Sequence, residues 1–208
     1  MKSVIIPTLI LCLSSTAVLA KKPNLKTLAF QNVTATMGTQ SANYDQNTHW
    51  DAKALAFNAS YLMNETLYFM VQHEQVYATG DLGTAAGEYN TRGPFVGAGY
   101  RAPVNYTKDF YFQFLIGDLE TETYSDKTLT NQSDKNAMAL RFGIKNYSSE
   151  KLLIDTWIER TDAEGDTAHS LGRSYNLLLG TRVLVGGAVD YNFDAQEFGW
   201  GLTFTLGL

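Results

Sequence analysis

The last eleven residues of the chain alternate without a break. Phe198, Trp200, Leu202, Phe204, Leu206 and Leu208 fall on one face, and Gly199, Gly201, Thr203, Thr205 and Gly207 on the other. Side chains on a β-strand point alternately to opposite sides, so this is a strand with one wholly apolar face and one small, weakly polar face. Two kinds of fold accept such a strand. A soluble sandwich would bury the apolar face; a membrane barrel would turn it toward lipid and let glycine and threonine line the interior.

The other end of the chain bears on that choice. Lys2 is followed by an apolar run from Val4 to Leu13, then Ser14-Ser15-Thr16 and the small-residue end Ala17-Val18-Leu19-Ala20 before Lys21-Lys22-Pro23. A basic start, a short apolar run and a small-residue cleavage site are the layout of a secretory signal peptide, and the run is too short for a membrane helix. Residues 1–20 are therefore expected to be removed, leaving one domain over 21–208. Cys12, the only cysteine, lies inside the apolar run, and Leu11 precedes it where lipidation needs a small residue. The remaining chain has neither disulfide nor thiol chemistry. Its acidic balance, 21 Asp plus Glu against the 15 Lys plus Arg left when Lys2 is taken from the full chain's 16, without basic clusters, argues against nucleic acid.

Alternation recurs along the chain. It predicts strands over 26–40 (Leu28 and Phe30 on one side), 50–62, 67–77, 94–102, 110–122, 137–145, 151–161, 175–183, 189–193 and 198–208. The count is ten; eight is the alternative, because the first strand and the pair around Gly187 carry the weakest patterns. The connections alternate as well. Polar stretches at 41–49, 78–93, 123–136 and 162–173 follow odd-numbered strands, and the turns after even-numbered strands are brief. All the long connections then fall on one side, as in a transmembrane barrel, whereas the crossings of a sandwich give no such asymmetry. The expected fold is an all-β, antiparallel, up-and-down transmembrane β-barrel. Matching apolar faces across the turn at 63–66 sets Leu67 opposite Tyr61, Phe69 opposite Ala59 and Val71 opposite Phe57.

In pattern, this mature chain resembles the small outer-membrane β-barrels of Gram-negative bacteria, the class that includes the membrane domain of outer membrane protein A. The C-terminal ladder Phe198, Trp200, Leu202, Phe204, Leu206, Leu208 looks like the signal read by the barrel assembly machinery. The family usually ends in Phe; Leu208 stands there, with Phe204 and Trp200 keeping the ladder aromatic. The resemblance implies a bacterial outer-membrane location, a monomer, and outer-membrane lipid, lipopolysaccharide and the assembly machinery as partners. Trp50, Tyr61, Tyr77, Tyr100, Phe110, Tyr175, Phe198 and Trp200, near strand ends, suit aromatic girdles at the two membrane interfaces.

Parity places Glu74, Arg101, Arg141, Lys145, Asp155, Glu159, Arg182 and Asp190 inside. A lipid-facing Arg or Lys near midplane would cost roughly 2–4 kcal/mol, so these charges belong in the lumen. Aligning Ile144 with Leu152 across 146–150 sets Arg141 opposite Asp155, and aligning Val183 with Val189 across 184–187 sets Arg182 opposite Asp190. The expected lumen is plugged by these ion pairs; a narrow ion-selective pore is the alternative.

Catalytic chemistry finds little support. Of His49, His73 and His169, the candidate is His169, which sits beside Ser170 with Asp162, Glu164 and Asp166 nearby. A nucleophile needs a base within hydrogen-bond reach, itself oriented by a third group, and adjacent residues in a loop rarely supply that. No metal or cofactor is expected. Asp118, Glu120 and Glu122 continue the outward parity of Phe110 to Ile116 into the headgroup layer, where carboxylates could share divalent cations with lipopolysaccharide phosphates. The expectation is a non-enzymatic outer-membrane barrel with a structural or surface-interaction role through its external loops. A porin-like channel and a lipid-modifying enzyme or protease are the rivals.

Overall fold

The computed structural model describes residues 25–45, 48–82, 85–125 and 128–208. The expected signal peptide lies outside the described residues, as do the side chains of His49, Trp50 and Tyr77. Ten antiparallel strands form a closed barrel in which each strand pairs with its sequence neighbours, and the first closes against the last. They are β1 (Asn32–Asp45), β2 (Thr48–Leu62), β3 (Leu67–Leu82), β4 (Ala85–Asn105), β5 (Lys108–Ser125), β6 (Thr128–Tyr147), β7 (Leu152–Ala163), β8 (Asp166–Leu179), β9 (Val183–Asn192) and β10 (Glu197–Gly207). β10 pairs with β1 from Asn32 opposite Gly207 to Ala42 opposite Glu197. Closure removes both sheet edges at that seam, which is what lets strands cross a bilayer.

The outer surface decides between the two solutions open to the C-terminal strand. Trp200 is 52% exposed and Leu202 66%, and Phe57, Phe69, Val96, Phe114, Ile116, Phe142 and Ile158 are likewise exposed on the outside of the wall. A soluble protein rarely exposes a contiguous apolar patch of more than a few hundred Å². Here an apolar band runs round the whole barrel. Tyr61, Tyr100, Phe110 and Tyr175 lie outside near its short-turn end, and Phe198 and Trp200 near the other.

Two sequence expectations change. The first strand begins at Asn32, not at Lys26: Leu25–Leu28 is a single helical turn, α1, followed by Ala29 and Phe30, and all but Lys26 and Thr27 are buried inside the short-turn mouth. The polar stretches are not loops for the most part. Thr79 pairs with Glu88, Thr123 with Asn131 and Ala163 with Asp166, so the wall simply continues as paired strand beyond the apolar band. The continuation is uneven. β6 starts at Thr128, but its pairing with β7 starts only at Ala137, so at about 3.4 Å per residue β6 runs on the order of 30 Å along its own axis past β7, and the wall is taller there than over β7–β10.

Side-chain oxygens fix the short turns. Asn64 Oδ1 accepts from the backbone N–H of Thr66 (2.9 Å) and Leu67 (2.8 Å), and Asn105 Oδ1 accepts from Thr107 N–H (2.8 Å) and Oγ1 (2.9 Å). Two Asn-x-Thr triplets are thus turn chemistry. Ser149 Oγ does the same for Lys151 and Leu152, while Gly180, with φ of +73°, supplies the left-handed residue between β8 and β9.

These turns are where the expected registers were displaced. The observed pairs are Tyr61 with Phe69, Ala59 with Val71 and Phe57 with His73, a shift of two residues that preserves which face each side chain takes.

Candidate functional site in the lumen

Inward parity holds for the charges on the strands, but their partners differ from those expected. Arg141 faces Glu159, not Asp155, and Nη2 and Nε lie 2.5 and 2.7 Å from Oε2. Asp155 pairs with Lys145. The turn between β6 and β7 is centred near Glu150, because the ladder runs on to Tyr147 opposite Leu153. Arg182 is not opposite Asp190. It sits in the turn after Gly180, where its carbonyl accepts from Gly207 N–H at 2.7 Å, while Asp190 faces Gly172 and Gly199 near the end of β9. Gly186 and Gly187, read as a turn, lie mid-strand; a Cβ on Gly186 would run into the carbonyl of Tyr175.

A second set of lumen residues was not anticipated. Asp109 is fully buried, although the sequence placed it in a turn. Its Oδ2 accepts from Arg101 Nε (2.8 Å), Arg101 Nη2 (2.8 Å) and the Tyr147 hydroxyl (2.7 Å). Its Oδ1 lies 3.8 Å from the Lys26 ammonium of the α1 segment and has no hydrogen bond. The Asn105-Tyr106-Thr107 turn would have revealed this. With the turn centred there, Asp109 shares the inward parity of Tyr111 and Gln113.

Aromatic rings lie flat against the wall at three matching places. Tyr68 faces Gly99, Tyr111 faces Gly143 and Trp157 faces Gly172 across β3/β4, β5/β6 and β7/β8. A Cβ on any of these glycines would overlap the facing ring. A glycine thus gives each ring a seat and keeps it out of the centre. Phe30, 1% exposed, occupies that centre. Its ring centroid is 5.2 Å from that of Tyr68 and 6.2 Å from that of Tyr111, and the Arg101 and Lys145 cations lie over it at 4.9 and 5.3 Å. The Tyr111 hydroxyl donates to Asp155 at 3.0 Å and Gln113 to the Tyr68 hydroxyl at 2.9 Å, so the belt of polar groups is bonded round the wall.

Above Phe30 the lumen opens into a cavity of about 1000 Å³ that reaches the far rim. Its wall carries Ser, Thr and Asn side chains together with Glu74, Asp190 and Glu197. The cavity is a cup, with Ala29 and Phe30 as part of its floor.

The histidine reading fares poorly. β8 turns His169 outward, where its Nδ1 meets Asp194 Oδ2 at 3.0 Å, and turns Ser170 into the lumen. Hydroxyl and imidazole lie on opposite sides of the wall and cannot form a dyad. His73 stands on the outward-facing parity of β3. Among the described residues, no group of three or more His, Cys, Asp or Glu is arranged to hold a metal ion.

No protein-family profile matches the sequence, and no curated protein does. Solved structures match the fold. The translocator domain of the autotransporter NalP from Neisseria meningitidis gives a TM-score of 0.50 at 8% identity, covering 85% of this chain and 87% of that one. The β domain of the Bordetella autotransporter BrkA gives 0.50 at 9% identity, covering 85% and 99%. Ail of Yersinia pestis gives 0.43 at 12% identity, covering 85% and 97%. The fold is that of outer-membrane β-barrels.

Proposed function

We propose that this chain is a non-enzymatic protein of the bacterial outer membrane whose lumen is closed and which acts at the cell surface through the wall that rises beyond the lipid. The observation that carries the location is the outer surface: an apolar band encircles a closed barrel, flanked by aromatic side chains at both levels. Residues 1–20 serve as the export signal, and the ladder from Phe198 to Leu208 is what the assembly machinery reads.

The short turns face the periplasm and the tall β3–β6 wall faces outward. Its outer face bears Asp118, Glu120 and Glu122 on β5, with Asp134 directly opposite Glu120 on β6. Like charges set opposite each other destabilise a sheet, so a divalent cation bridging these carboxylates to lipopolysaccharide phosphates would relieve the wall and anchor it. The closed lumen is the reading that Phe30 and the Arg101–Asp109–Tyr147 cluster support, since they fill the short-turn mouth with side chains.

Cell fractionation tests the location. The protein is expected with the outer membrane, migrating differently in detergent gels before and after boiling; recovery as a detergent-free periplasmic protein would sink the reading.

A further inference from the structure

The segment from Leu25 to Phe30 is inside the barrel without being part of its wall. β1 begins at Asn32, and from there every strand has both neighbours. No residue from Leu25 to Phe30 enters the ladder; Gln31, just after them, accepts a bond from Leu208 N–H at 3.3 Å. The segment is held instead by side chains. Leu28 packs on Gly207, Phe30 sits between two tyrosine rings and two cations, and Lys26 donates to the Asn105 carbonyl (2.8 Å) beside the second oxygen of Asp109. Withdrawing it would break no strand pairing, so its release is a local opening and not an unfolding of the barrel.

What lies on either side gives that opening a consequence. Above the segment is the cup, and below it is the short-turn mouth, so Leu28, Ala29 and Phe30 are the partition between the cavity and the periplasmic face. The cup is polar and carries charges of both signs. Lys135, Arg141 and Lys145 each pair with a carboxylate, Asp166, Glu159 and Asp155, and Glu74, Asp190 and Glu197 also line it. A water-filled passage lined by such groups lets small ions through.

We propose that residues 25–30 are a displaceable stopper and that the barrel, with the stopper withdrawn, conducts small ions between its two mouths. Phe30 is the seat of the stopper and Lys26 its electrostatic latch on Asp109. This rests on the closed-lumen reading above and extends it by naming the element whose withdrawal opens the lumen.

The test uses purified full-length barrel and a variant lacking Leu25–Phe30, each in planar bilayers with a potassium chloride gradient. Barrel formation is checked beforehand by heat-modifiable migration. The intact protein is expected to be silent, and the deletion variant to show sustained current steps. A folded but silent deletion variant overturns the stopper while leaving the closed lumen standing. An intact protein that conducts as well as the variant overturns the closed lumen and the stopper together. Should the deletion fail to assemble, a Lys26→Ala/Phe30→Ala variant carries the same test: brief openings support the stopper, and silence in a folded sample removes it.

Discussion

The two ends of the lumen are built by one parity rule and obey different physics. At the short-turn end, inward polar groups meet protein on every side. Arg101 and Tyr147 both bond Oδ2 of the fully buried Asp109, and Phe30 and Leu28 fill the remaining space. At the far end the same parity delivers Asn131, Ser133 and Lys135 to an open cavity. A polar side chain on the inner wall is therefore a determinant of structure at one end and a solvated surface at the other. Burial, not residue type, separates them.

The largest effect expected from this contrast is at Asp109. Asp109→Ala leaves the Arg101 guanidinium and the Tyr147 hydroxyl without their acceptor in a buried site, and should lower unfolding stability in lipid vesicles by about 3–5 kcal/mol, as read from urea titration. A loss under about 1 kcal/mol would mean that water reaches this end too, and the contrast would collapse.

Next comes Gly143→Ala. The added methyl would overlap the Tyr111 ring and push it off the wall toward Phe30, with an expected loss of about 1–3 kcal/mol in the same titration. A neutral result would show that the ring does not rest on the glycine.

Smallest is the far-end counterpart, Lys135→Ala. Its ion pair with Asp166 is open to solvent, and a change of at most about 1 kcal/mol is expected, shrinking further in salt. A loss comparable to that at Asp109 would erase the difference between the two ends.

How much of this was legible in the sequence follows from what alternation can and cannot say. It identifies faces. Glu74, Arg101, Arg141, Lys145, Asp155, Glu159 and Asp190 are inside because inward and outward residues keep their parity whatever the turn does. It does not locate turn centres, and a displaced centre moves every partner by an even number of residues without changing any face. Arg141 therefore acquired the wrong carboxylate while remaining in the lumen. Arg182 moved further, because Gly180 looks like a strand residue until its φ is known.

Two other features lay beyond the pattern for physical reasons. Leu28 and Phe30, two apart, read as a strand, but any apolar i, i+2 pair does, and a single helical turn is too short to show its own period. The stretches around 78–93 and 123–136 read as loops because strands standing in water on both faces need no apolar alternation. The Asn-x-Thr turns were the unused signal. Reading Asn105 and Thr107 as a turn would have placed Asp109 inside the barrel and exposed the cluster that closes it.

A barrel that spans the outer membrane as proposed sets these two ends on opposite sides of it. Single cysteines at Asn131 on the tall wall and at Glu150 in the β6–β7 turn, each in a Cys12→Ser background, would be treated in intact cells with a membrane-impermeant maleimide. Labelling at 131 without labelling at 150, and labelling at both once the outer membrane is permeabilised, is the predicted result. Labelling at both positions in intact cells, or at 150 alone, would contradict it.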